Sequence, residues 1–229
     1  MKHIALIFFT LVMLSLSKHL AAQTPAQVIQ KVNNNFAKVK DYTADVQIHT
    51  DISFIKMKDI NAKVFFKKPK KFKIKAEGIL FLPKQNPNYM QSLITDTLSY
   101  TAVKNGNEKL GAYNTTIISI IPNSDTADLI LGKFWIDESR SVILKSSLST
   151  RSNGNLLIEH FYGVNASNSL PDKLIFTIET SKFKLPKAMV VDLGSSEENT
   201  NKEAEKKGTI TINFTNYKVN GGIDDSVFK

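Results

Sequence analysis

Apolar and polar residues alternate at period two along most of this 229-residue chain, and that recurrence restricts it to a β fold. Tyr42, Ala44, Val46 and Ile48 alternate with Thr43, Asp45, Gln47 and His49. Similar patterning predicts further strands over residues 63–67, 71–82, 99–103, 113–121, 133–136, 141–151, 156–163, 173–182, 188–193 and 209–218. Asn105-Gly106, Asn153-Gly154 and Gly221-Gly222 supply turn signals between them. Strands of this number and spacing predict a mainly β protein with a few helices. Its expected architecture is a single curled antiparallel sheet forming a half-closed β-barrel.

One helix precedes the strands. Thr24 is a capping residue, Pro25 suits the first helical position, and Gln27 completes a capping box. Val28, Ile29, Val32, Phe36 and Val39 then form one apolar stripe that fades near Lys40-Asp41, so the helix is expected to cover a sheet face. Residues 83–93 carry two prolines and then Tyr89, Met90 and Leu93, which predicts a loop with a short lid helix. Residues 122–129 predict another short helical crossing. Residues 194–208 are polar and charged, as in a mobile hairpin loop.

Residues 65–75 form a two-faced hairpin pattern. Val64, Phe66, Phe72, Ile74 and Ala76 share one face; Lys71, Lys73 and Lys75 share the other. Lys67, Lys70, Lys71, Lys73 and Lys75 are expected to meet solvent, or else an acidic or membrane-associated partner.

The N-terminus has the layout of a cleavable secretory leader: basic Lys2 and His3, an apolar run over 4–16, then Ala21-Ala22. That run is shorter than the roughly 20 residues a spanning helix needs. Residues 1–22 are therefore expected to be removed, leaving a single soluble domain over 23–229 in the periplasm. The chain has no cysteine, so neither a disulfide nor a lipidated cysteine is available. The net charge is +9, carried almost entirely by lysine. Arginine occurs only at Arg140 and Arg151, which argues against nucleic acid as a partner.

No local spacing assembles a metal cluster, a phosphate loop, a dinucleotide fingerprint or a nucleophile elbow. Neither a cofactor nor an enzymatic activity is expected. Glu159 and His160 are adjacent on a strand and so face opposite ways. Asp224-Asp225 is expected to mark a turn.

Several stretches resemble the periplasmic outer-membrane lipoprotein carrier and sorting family, the LolA/LolB-like proteins. The family's strand–turn–strand with a basic pair, a proline and an aromatic is similar to Lys67-Lys68-Pro69-Lys70-Lys71-Phe72. Phe134-Trp135-Ile136-Asp137, Val142-Ile143-Leu144-Lys145 and Phe161-Tyr162-Gly163 are similar to its middle strands. Leu170-Pro171-Asp172-Lys173 and the run from Asn216 to Phe228 resemble its last ones. Lys68 stands where the family has a lid-latching arginine, and the glycine that usually starts that strand is absent around Asn61-Ala62.

The resemblance implies a half-barrel closed by short helices around a cavity for the acyl chains of lipoproteins or a related lipid. It implies a monomeric carrier that shuttles them towards the outer membrane. A buried methylene is worth roughly 0.8 kcal/mol, so about 15 carbons need shelter on the order of 12 kcal/mol to cross water. Cavity lining then falls to Phe36, Phe54, Phe66, Phe72, Ile74, Trp135 and Phe161, residue types that equally serve ordinary core packing. The lid falls to Lys68, Tyr89, Met90 and Leu93. Two other readings stay open: a non-carrier binding module of the same fold, for envelope-stress sensing or scaffolding, and an exported hydrolase with a dispersed site.

Overall fold

The computed structural model describes residues 23–52, 57–78, 93–152, 154–179 and 207–229. The predicted helix is α1 (Pro25–Ala37). The Gln27 N–H donates to Thr24 Oγ1 at 3.2 Å, and Gln27 Oε1 accepts from the Thr24 N–H at 2.9 Å, so the capping box is complete. Val28, Ile29 and Val32 are almost fully buried. Each contributes about 1.5–3 kcal/mol relative to exposure, which holds this short helix in place.

Ten antiparallel strands follow: β1 (Asp41–Asp51), β2 (Ile60–Lys67), β3 (Lys71–Ala76), β4 (Tyr100–Leu110), β5 (Tyr113–Pro122), β6 (Leu129–Asp137), β7 (Val142–Thr150), β8 (Gly154–Phe161), β9 (Lys173–Glu179) and β10 (Lys207–Val219). They form one sheet in the order β3-β2-β1-β10-β9-β8-β7-β6-β5-β4. First and last strands of the main run pair, Val46 opposite Phe214 and Ile48 opposite Ile212. Among the described residues the sheet does not close, because β3 and β4 are left as edges. The half-closed antiparallel architecture expected from the alternation is the one the chain adopts.

The registers line up a continuous inner face. Phe72, Phe66 and Tyr42 sit side by side across β3, β2 and β1. Phe176, Ile158, Ser146, Phe134 and Ile118 do the same from β9 to β5. These residues and α1 enclose one hydrophobic core. A β-sheet facing water on its other side must alternate in this way, and that is why the pattern was so regular.

Three local expectations are corrected. Asn105-Gly106 is not a hairpin turn. Gly106, at φ +111°, sits at a bulge within β4, and the strand continues to Leu110 before turning at Gly111-Ala112. Residues 123–128 form a turn rather than a helix, with the Ala127 N–H on the Ser124 carbonyl and the Ser124 hydroxyl bonded locally. Serine and aspartate offer the backbone such local bonds in preference to helix. Strand β3 ends at Ala76, where Glu77-Gly78 bends away, rather than at residue 82. The strand expected over 188–193 and nearly all of the loop expected over 194–208 lie outside the described residues.

Candidate functional site

Two spaces lie on the concave side, with Phe36 and Phe66 in the wall of each. The larger is an open groove of about 1050 Å³ on the side where the sheet fails to close. One wall is the β2–β3 turn (Lys68, Pro69, Lys70) with α1 (Gln30, Asn33, Phe36). The other is the 93–100 stretch with the ends of β5 and β6 (Ile120, Pro122, Leu129). Deeper in is a cavity of about 60 Å³ between α1, β8–β10 and the loop after β8. Phe36 and Phe66 line both spaces, with ring centroids 5.3 Å apart. This aromatic pair divides the groove from the cavity.

Lys68 fixes the groove's near rim. Its ammonium donates to the Ala37 carbonyl at 2.7 Å and the Phe36 carbonyl at 3.4 Å. These are among the last α1 carbonyls, which lack intrahelical partners and carry the negative end of the helix dipole. Partial burial holds the Lys68 pKa below the usual lysine range. On the far rim, Leu93 packs partly buried against the core. The Tyr100 hydroxyl and Asn33 Nδ2 both donate to the Ile94 carbonyl, at 3.0 and 2.6 Å. Burial pushes the Tyr100 pKa up to about 12, so that hydroxyl stays a donor.

The cavity holds a polar group, the imidazole of His160. His160 occupies an inward position of β8, following Leu156 and Ile158. Its Nε2 lies 3.2 Å from the Ser146 hydroxyl on β7, and its ring stacks on Tyr162 with centroids 6.3 Å apart. Burial drives the His160 pKa down to about 3, so the imidazole is neutral near pH 7. Tyr162, Ser169 and Tyr217 line the same space; the Tyr217 hydroxyl is bound to the Pro171 carbonyl at 2.8 Å. Serine beside histidine has the look of a nucleophile and its base. Ser146, however, is fully buried and does not line the cavity, so no substrate reaches it. Among the described residues, no cluster of three or more metal-ligating side chains occurs.

The residues named from sequence separate into three groups. Phe36 and Phe66 line both spaces, and Lys68 and Leu93 line the groove. Phe72 and Ile74 are half-buried on the inner face of β3, packed on the core. Trp135 and Phe161 are not in the cavity. They alternate with Phe134 and His160, which point inward, so both face outward. The Trp135 indole donates to Glu108 Oε2 at 2.7 Å and lies between the ammonium groups of Lys133 and Lys145. Phe161 is 42 % exposed, with Lys173 4.2 Å from its ring centroid. Phe54, Tyr89 and Met90 lie outside the described residues.

The lysine face is largely taken up by the chain itself. Asp225 pairs with Lys67 at 2.8 Å and Lys71 at 2.7 Å, and hydrogen bonds from those two lysines hold its pKa down at about 2. Lys67 also donates to the Ile223 carbonyl, and Lys73 to the Lys229 carbonyl. Lys75 lies over the Phe65 ring. Asp224 and Asp225 therefore do more than mark a turn: Asp224 caps a short 3-10 turn (Asp225–Phe228), and Asp225 fastens it to the hairpin. Only Lys70 of the five contributes to the groove wall.

An open antiparallel half-barrel, plugged by an N-terminal helix around an apolar interior, is a cavity-bearing fold. That fold is LolA-like. A LolA superfamily protein from Nitrosomonas europaea matches over 91% of this chain and 98% of its own, with TM-score 0.58 and 12% identity. An outer membrane lipoprotein-sorting protein domain from Vibrio parahaemolyticus matches over 90% and 96%, with TM-score 0.57 and 9% identity. A DUF1329 family protein from Desulfovibrio piger matches over 90% and 98%, with TM-score 0.56 and 9% identity. No family model and no curated protein matches the sequence. At these identities the likeness is one of fold.

Proposed function

We propose that the chain is a periplasmic carrier that shelters the acyl chains of a lipoprotein, or of a related lipid, and moves them towards the outer membrane. It works as a monomer without covalent chemistry, over a single domain (23–229) released from its leader (1–22). The observation that carries this reading is the apolar groove at the unclosed side of the sheet. It is large enough for an alkyl chain and ends against Phe36 and Phe66, which also line the inner cavity. An alkyl chain entering there exchanges water for Ile120, Leu129 and Phe66, the exchange that drives hydrophobic binding. Loading would proceed by parting the Phe36–Phe66 pair, and release by the reverse movement. Lys70, unpaired among the described residues, is left to meet an acidic partner or headgroup at the rim.

The test is native mass spectrometry of the protein purified from its own cell envelope. Co-purifying acylated species are expected. A clean apo mass, with no uptake of added lipopeptide, would leave a binding module of this fold that carries no lipid.

A further inference from the structure

The inner cavity is not uniformly apolar, and its polar atoms are placed unusually. Ser169 ends the 3-10 turn Ala166–Asn168 in the left-handed region, at φ +54° and ψ 32°. A non-glycine residue rarely adopts that conformation. The loop is held there by the Ser169 N–H on the Ala166 carbonyl, the Leu170 N–H on the Asn165 carbonyl and the Asp172 N–H on the Phe161 carbonyl. The Ser169 hydroxyl is shut away from solvent and has no hydrogen-bond partner among the described residues. A buried hydroxyl left unpaired destabilises the fold until something bonds to it. Beside it, Tyr162 and His160 line the same cavity. With Nε2 against Ser146, the His160 ring has Nδ1 left to donate or accept, according to its tautomer.

Charge narrows what this cluster can hold. Among the described residues, no lysine, arginine or carboxylate lines the cavity. The guanidinium that acts on Tyr162, that of Arg140, is already paired with Asp137. An ionised group entering the cavity would therefore be desolvated without a counter-charge in its lining. A hydroxyl or an ester carbonyl would satisfy Ser169 and carry no such penalty. We propose that the cavity behind Phe36 and Phe66 is a subsite for a neutral hydrogen-bonding group on an otherwise apolar ligand, held by Ser169, Tyr162 and His160. It rests on the carrier reading and specifies its cargo: the alkyl portion lies in the groove, and a hydroxyl or ester lies at its inner end.

The test compares four probes of equal chain length on the intact protein: dodecane, 1-dodecanol, methyl dodecanoate and ionised dodecanoate. At least one of the alcohol and the ester should bind about fivefold tighter than dodecane, the worth of one net hydrogen bond; whichever binds tighter identifies the group. Dodecanoate should bind more weakly than that probe. Ser169→Gly suits the left-handed backbone, so it removes the hydroxyl and keeps the turn. It should erase most of the advantage while leaving dodecane binding unchanged. Equal affinity for all four probes, or an equal effect of Ser169→Gly on dodecane and on the preferred probe, overturns the subsite and leaves the carrier reading standing. Failure of every probe to bind overturns both.

Discussion

Acid should destabilise this protein through His160 in a way that a single substitution isolates. The imidazole's pKa is about 3 in the fold, against 6.5 when unperturbed. Burial favours its neutral form, so between those values the unfolded chain binds the proton and the folded one does not. Stability from this group is complete above pH 6.5 and is lost as pH falls towards 3, at about 1.4 kcal/mol per pH unit. Over the 2.5 units from pH 6.5 to 4, the loss is about 3 kcal/mol. Other groups titrate in that range, so the informative quantity is a difference. His160→Gln keeps a hydrogen-bonding side chain near Ser146 but cannot titrate. Urea unfolding at intervals from pH 4 to 7 should give the wild type a slope steeper by about 1.4 kcal/mol per pH unit than the variant. Parallel slopes would refute the argument, as would an imidazole proton resonance of the folded protein with its midpoint near 6.5.

Other substitutions probe the remaining parts. Lys68→Leu removes the donor on the last α1 carbonyls; bound lipid should leave at a changed rate while far-ultraviolet circular dichroism stays the same, and unchanged kinetics would reduce Lys68 to a helix cap. Gly132→Ala places a methyl 3.0 Å from Ile120 Cγ1 and Phe134 Cε2, so it should cost about 1–3 kcal/mol by overpacking, measured by thermal unfolding. Trp135 emission should not move when lipid binds, because the indole faces away from the groove. A shift on loading would put the tryptophan back in the cavity wall.

The architecture was legible because its two determinants are local. Period two fixed which residues face inward, and the helix carried its own start signal in Thr24, Pro25 and Gln27. Residue type is the weaker signal: Trp135 and Phe161 are aromatic, yet Phe134 and His160 beside them hold the inward positions, so both face outward. The same alternation marks His160 as an inward polar residue among Leu156 and Ile158. What no spacing reveals is long-range pairing. Ser146 meets His160 only through the β7–β8 register, and Asp225 meets Lys67 and Lys71 across more than 150 residues of chain. The Asn105-Gly106 signal was real, but a glycine at positive φ serves a bulge as well as a turn.

The strand order has a consequence for how such a protein can diversify. Nine antiparallel pairings join the ten described strands, and the two edges, β3 and β4, are consecutive along the chain. Among the described residues, no backbone ladder joins these two edges. Insertions or deletions between β3 and β4 can therefore change the spacing of the two edges while the nine pairings keep their register.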